Sequence, residues 1–153
     1  MRSTWLAVGL FASATGCNPF AIWGNATAQR DIAQKATEHF HALLDSAKYG
    51  DIYSEADPAF REAVTEKDTD ALWRMVQRRF GPVQGTTLAT WNVNISTGGG
   101  TQVSLVYRTA FAKDSATETF VWRIRDGKPA LLRYNINSPS LMRAMIDETD
   151  EKH

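Results

Sequence analysis

The sequence predicts an α+β fold in which three N-terminal helices pack on a curved four-stranded antiparallel meander sheet. Apolar and polar residues alternate along three consecutive segments between Gly98 and Ser138, a period typical of strands with one apolar face. Between Gln29 and Phe80, apolar residues instead recur at helical spacing. Because the helices come first and the strands follow, we expect the helices to cover one face of the sheet.

The helices are placed by apolar periodicity and by capping residues. The first is expected over residues 29–48, ending at Gly50, which suits a left-handed cap. Residues 51–64 predict shorter helical pieces, with Asp57 as the N-cap of a helix that a proline opens. A third helix is expected over residues 65–80, where Thr65 is its N-cap.

The strands are placed by alternation and by the turns between them. The first is expected over residues 87–96, and three glycines turn it into the next. Lys113–Ser115 and Asp126–Gly127 supply the later turns, and the second is a strong hairpin signal. The side chains expected on the apolar face of the last three strands are Val103, Leu105, Tyr107, Thr109, Phe111, Phe120, Trp122, Ile124, Leu132, Tyr134 and Ile136.

Charge and cysteine content exclude several classes of protein. Lys and Arg number 17, as do Asp and Glu, so there is no global field and no nucleic-acid partner is expected. Cys17 is the only cysteine, which excludes an internal disulfide and a cysteine-rich metal site. The three histidines argue against a rich metal site, and neither a metal nor a cofactor is predicted.

The N-terminus resembles a bacterial lipoprotein signal. Met1–Arg2 is a short basic start, and Trp5–Ala14 is an apolar run shorter than the roughly 20 residues that cross a bilayer. The small residues that lead into Cys17 resemble a lipobox, which implies diacylglycerol on its sulfur and cleavage before it. The alternative is cleavage after Ala28, which gives a soluble periplasmic protein.

This signal sets the expected organisation of the chain. Residues 1–16 are the signal peptide, 17–28 a tether, 29–138 the folded domain, and 139–153 a short helix with a polar tail. We therefore expect an extracytoplasmic protein, held on the periplasmic side of the cell envelope by its lipid. Asn18 rather than Asp follows the cysteine, and this resembles lipoproteins that are sent on to the outer membrane.

Several short motifs occur in an order that resembles a known family. Tyr107–Phe111 carries Tyr-x-Thr-x-Phe, and Ala116–Thr119 carries Ala-Thr-Glu-Thr in the next predicted strand. Tyr49–Tyr53 and Phe60–Thr65 precede them. Together they resemble a family of small secreted bacterial proteins catalogued as domain of unknown function 4019. The resemblance covers roughly residues 29–136 and implies an α+β cone similar to the cystatin-like or nuclear-transport-factor-2-like folds.

Two departures from the family pattern indicate local repacking. The family usually has Trp where this chain has Thr69, and Trp73 lies one turn later. It also tends to have Trp after the Asp-Gly turn, where Pro129 and its neighbours stand here. The family carries no established catalytic residues, so the resemblance implies none.

Three side chains are weak candidates for acid–base chemistry, namely His39, Asp51 and Asp57. Such a group acts in a pocket only when its surroundings tune its pKa near the working pH. A packed or solvated role fits His39 better, while Asp57 is better explained as a helix cap and Asp51 as a turn residue. No catalytic residue is therefore predicted.

Aromatic side chains are the candidates for lining an apolar pocket between the first helix and the sheet. Core packing explains most of them, but pockets in cone-shaped domains are lined in the same way. The candidates are Trp73, Trp91, Tyr107, Phe111, Trp122 and Tyr134.

These features favour a non-enzymatic envelope lipoprotein that binds an unidentified small molecule or an envelope protein. Two alternatives stay open. One is an enzyme of the isomerase or dehydratase type that uses an Asp or a His in the pocket. The other is a structural module that forms a homodimer through the open face of the sheet.

Overall fold

The computed structural model of the chain describes residues 19–96 and 99–143 and has an α+β fold. Four helices precede a four-stranded sheet, and residues 139–143 form one further helical stretch. The expected count of three N-terminal helices is therefore wrong. The elements are α1 Pro19–Asp45, α2 Tyr49–Glu55, α3 Pro58–Ala63, α4 Glu66–Phe80, β1 Val83–Ser96, β2 Gly100–Phe111, β3 Ser115–Arg125 and β4 Lys128–Asn137.

The separation of α2 from α3 has a local cause. Ala56 and Asp57 take extended ψ angles of 157° and 142°, which end one helix before the next begins. The Asp57 carboxylate then accepts a hydrogen bond of 3.0 Å from the backbone N–H of Ala59. Pro58 starts α3, where its missing N–H leaves no hydrogen bond unmade. The predicted cap at Asp57 is confirmed, and Thr65 likewise caps α4.

Helix α1 differs at both ends from the predicted helix. It begins at Pro19, inside the segment expected to be a tether, and it ends at Asp45. Ala47 takes the left-handed φ of 55° in the turn that follows, while Gly50 lies within α2 instead of capping α1. Cys17 and the predicted signal peptide lie outside the described residues.

The sheet is the predicted antiparallel meander, with strand order β1-β2-β3-β4. Asp126 and Gly127 have φ angles of 51° and 72°, the left-handed pair that a tight hairpin between β3 and β4 needs. The predicted apolar face of β2 and β3 is confirmed. Its buried members are Val103, Leu105, Tyr107, Thr109, Phe111, Phe120, Trp122 and Ile124.

A β-bulge changes the predicted alternation in β4. Leu131 pairs with Trp122 and Arg133 pairs with Val121, so Leu132 is an extra residue in the ladder. Leu131 is consequently buried in the core at 2% exposure. The prediction that Leu132 faces the core is wrong, because the bulge shifts the register by one residue.

The core lies between the inner face of the sheet and the helices. Phe40 of α1 is its centre, since its ring meets Trp73 of α4 at 5.3 Å and Phe120 of β3 at 5.1 Å, both edge to face. Phe80, at the end of α4, packs on Phe111 at 5.3 Å. The two edge-to-face contacts of Phe40 add to the stability that burial provides.

Candidate functional site

A cavity of about 180 Å³ lies between α1, α2 and the end of the sheet where β3 turns into β4. Its walls are mainly apolar, and two polar side chains at its rim, His39 and Glu55, are more than half exposed. Ligand pockets are concave and mostly apolar, with a few polar groups, and this cavity has that composition. The apolar lining residues are Ala36, Phe40, Leu43, Ile52, Trp122, Pro129 and Leu131.

The sequence places these walls through ordinary helix and strand geometry. Ala36, Phe40 and Leu43 lie three or four positions apart on α1, so they share the face that looks at the sheet. Trp122 is held in place because its indole N–H donates a hydrogen bond of 2.9 Å to the Thr37 hydroxyl. The bulge in β4 turns Leu131 inward to complete the wall.

A side-chain contact between two helices lies across the rim of the cavity. Nε2 of His39 on α1 lies 2.9 Å from Oε2 of Glu55 on α2. Because both side chains are solvent-exposed, their interaction adds little to stability and is easily exchanged for water or a ligand. The arrangement therefore offers one basic and one acidic group to a molecule that enters the cavity.

A second polar group is buried in the core around Glu118. The Glu118 side chain is fully buried, and its carboxylate has three neighbours from three different elements. Oε2 lies 2.8 Å from Nε2 of His41 on α1 and accepts a hydrogen bond of 2.5 Å from the Thr109 hydroxyl on β2. Oε1 accepts a hydrogen bond of 2.7 Å from the Tyr134 hydroxyl on β4. We call these four residues the Glu118 cluster.

The Glu118 cluster links α1, β2 and β4 to β3. A buried carboxylate is costly unless hydrogen bonds replace its water. Here Thr109 and Tyr134 donate to it, and Nε2 of His41 lies within hydrogen-bond distance. Burial, followed by the negative charge of Glu118 and the hydrogen bond to it, raises the pKa of Tyr134 well above its usual range. The phenol therefore keeps its proton and stays a donor to the carboxylate. The cluster fixes α1 against the sheet.

The three acid–base candidates lie apart from one another. Asp51 is exposed on α2, and His39 is at the rim of the cavity. Asp57 is 1% exposed and already serves as a helix cap, and its two oxygens lie 2.7 Å from Nη1 of Arg123 and 3.3 Å from Nη1 of Arg125. Of the three, only His39 is in contact with the cavity.

The six aromatic candidates divide between the cavity, the core and the Glu118 cluster. Trp122 lines the cavity, and Tyr134 belongs to the Glu118 cluster. Trp91 lies beside α1, where the guanidinium of Arg30 stacks 5.2 Å from its ring centroid. The others are buried in the core: Trp73, Tyr107 and Phe111.

Two features of the core and cavity were not predicted from the sequence: the contact between His41 and Glu118, and the position of Leu131. The sequence alone did not bring His41 and Glu118 together, because 77 residues separate them. One signal was present, since Thr109 and Glu118 lie in the two motifs most specific to the family resemblance. Leu131 could not have been assigned to the cavity without the bulge.

The described residues show neither a metal site nor a membrane span. Within residues 19–96 and 99–143, no three His, Cys, Asp or Glu side chains group to hold a metal ion. No helix of this part of the chain is both long and apolar enough to cross a membrane.

The fold and cavity define a small α+β domain with an apolar pocket and a buried polar cluster. Residues 36–134, more than half of the chain, match the family described as "Protein of unknown function (DUF4019)". The chain belongs to this family, which confirms the resemblance that the motifs indicated. No curated protein matches the chain.

Proposed function

We propose that this protein is a non-enzymatic binding module that takes a small ligand with an apolar group into the cavity beneath α1. The observation that carries the proposal is the apolar wall of the cavity, built by Phe40, Leu43 and Trp122 among others. An engineered cavity of about 150 Å³ with similar walls stays dry and binds benzene. The cavity here, at about 180 Å³, has room for one ring or a short branched chain.

The two polar side chains at the rim favour a ligand that also carries a polar group. His39 and Glu55 lie at the cavity and contact each other across 2.9 Å. A hydroxyl or amide on the ligand has both a donor and an acceptor available there. The ligand class we propose is therefore a small amphipathic molecule with one apolar end.

We propose further that the domain is anchored in the cell envelope as a lipoprotein. The support is the sequence alone: the apolar run, the small residues and Cys17 stand in the order of a lipobox. Residues 1–16 are then removed, and the lipid holds the protein on the periplasmic side, in the outer membrane. The finer fold, a cystatin-like cone, is also a proposal, with which the α+β architecture is loosely consistent.

An enzyme of the isomerase or dehydratase type is the weaker alternative. Asp57 is occupied by its cap and by two arginines, and Glu118 is buried among its donors. Neither carboxylate is free to take a proton from a substrate. Of the three acid–base candidates, the exposed His39 is the one that lines the cavity.

Native mass spectrometry of the full-length protein, extracted from its own envelope in mild detergent, tests both proposals. We expect a chain that starts at Cys17 with a covalent lipid mass, and a small additional mass that leaves on gentle activation. A chain that starts at Gln29 without lipid would contradict the anchor. Absence of any releasable mass, together with failure of small apolar probes to bind, would contradict the ligand.

A further inference from the structure

A second concave site, separate from the cavity, lies where α3 meets the β4 edge of the sheet. It is a groove of about 440 Å³ between α3 and the outer side of β4. Its apolar wall includes Phe60, Val64 and Leu132, and its polar side includes Arg123 and Arg133. The groove is therefore amphipathic, with two cations along one side.

The backbone builds this groove through the bulge in β4. Leu132 is the extra residue of the bulge, so it leaves the core and lines the groove instead. Arg133 follows it on the outer face, and Arg123 of β3 lies one strand further in. Bulges commonly re-aim side chains beside functional sites.

The two arginines differ in how they are held. Arg123 is oriented by Asp57, with 2.7 Å between Nη1 and Oδ1, and its side chain is 18% exposed. Arg133 is exposed, and among the residues that the structure describes no carboxylate lies within salt-bridge distance of it. Arg123 is thus held by a carboxylate, whereas Arg133 has none nearby in the part of the chain that the structure describes.

Arg133 dominates the charge of the groove, because Arg123 is already paired with the Asp57 carboxylate. The lining contains no carboxylate in the described part of the chain. Across β1–β4 the sequence has one acidic residue, Glu118, which is buried on the inner face. A second copy of this sheet face would bring arginines against arginines, which disfavours self-association. An anionic occupant instead complements the groove.

We propose that this groove binds a small organic carboxylate with a short apolar body. The planar guanidinium of Arg133 matches a carboxylate with two parallel hydrogen bonds. The apolar body packs on Phe60, Val64 and Leu132. The site is separate from the cavity beneath α1, and the proposal does not depend on the function assigned to that cavity.

Calorimetric titration of the full-length protein in zwitterionic lipid nanodiscs tests the proposal, with 3-phenylpropanoate as the probe. We expect saturable binding that weakens as salt is added, and binding at least tenfold weaker for 3-phenylpropanol and 3-phenylpropylammonium. Arg133→Gln should weaken the binding of 3-phenylpropanoate at least tenfold. Arg108→Gln, an exposed arginine on the same face outside the groove, is the matched control and should leave affinity unchanged.

Three results would overturn the proposal. One is equal binding of the acid and the alcohol, which would remove the role of charge. Another is an equal effect of Arg108→Gln and Arg133→Gln, which would indicate non-specific attraction. The last is that Arg133→Gln leaves 3-phenylpropanoate binding unchanged but alters sedimentation or binding to anionic nanodiscs. In that case the face serves a second copy or a membrane surface.

Discussion

Nε2 of His41 lies 2.8 Å from Oε2 of Glu118, although 77 residues separate the two in the sequence. This contact joins α1 to β3 at the centre of the apolar core. Because Thr109 and Tyr134 donate to the same carboxylate, three secondary-structure elements are tied to a fourth through one side chain. The Glu118 cluster therefore fixes the position of the helix that forms one wall of the cavity.

Replacing the carboxylate at the centre of this cluster should destabilise the fold. Glu118→Gln keeps the shape of the side chain but exchanges one acceptor oxygen for a donor, so at least one buried donor loses its partner. We expect the free energy of unfolding to fall by about 1–3 kcal/mol, measured by urea denaturation at neutral pH. Glu62→Gln, exposed on α3, should change it by less than about 0.5 kcal/mol. Equal stability of the two variants would contradict the cluster's role.

Alkaline pH should destabilise the protein through Tyr134. Its pKa in the folded state is raised, while in the unfolded chain it is about 10. The folded state therefore holds a proton that the unfolded state releases, so this stability is fully present below about pH 10 and is lost as pH rises towards the folded pKa.

The variant Tyr134→Phe isolates this effect. It should lower stability at neutral pH, because Glu118 loses a donor, and should also flatten the fall in stability above about pH 10. Some slope should remain, because burial also raises the pKa of Tyr107. Urea denaturation at several alkaline pH values measures both effects. An unchanged slope in Tyr134→Phe would show that this phenol does not govern the alkaline transition.

Asp57 should matter more for stability than an ordinary helix cap. Asp57→Ala removes the cap of α3 and leaves the largely buried Arg123 without its carboxylate. We expect a loss of about 2–4 kcal/mol, about 1 from the cap and the rest from the charged hydrogen bonds. Thr65→Ala removes only the exposed cap of α4 and should cost about 1 kcal/mol. Thermal unfolding of both variants gives the comparison, and equal losses would show that the arginine contacts contribute nothing.

The coarse fold could be predicted because local signals and long-range packing agree. Alternation along β2 and β3 matches a buried inner face, and Asp126–Gly127 has the residue types that its hairpin requires. The caps at Asp57 and Thr65 were also predictable, because each depends on a side chain and a backbone N–H only two or three residues away.

The candidate site was less predictable because it depends on register and on distant contacts. Because of the bulge in β4, Leu131 rather than Leu132 faces the core, and no local sequence pattern marks the position of the extra residue. His41 is polar and lies beside the apolar stripe of α1, so its burial is explained only by Glu118 on a distant strand. Three of the six aromatic side chains proposed for the pocket, Trp73, Tyr107 and Phe111, are buried in the core.

Solution NMR with indole as the probe tests most directly whether the cavity beneath α1 takes a small apolar group. We expect amide shifts to concentrate around Phe40, Ile52 and Leu131 and to saturate. Ala36→Leu, which places a larger side chain in the cavity wall, should abolish them while the fold is kept. Ala42→Leu, on the exposed side of α1, should leave them unchanged. Shifts that persist in Ala36→Leu, or that never appear in the wild-type protein, would contradict the account.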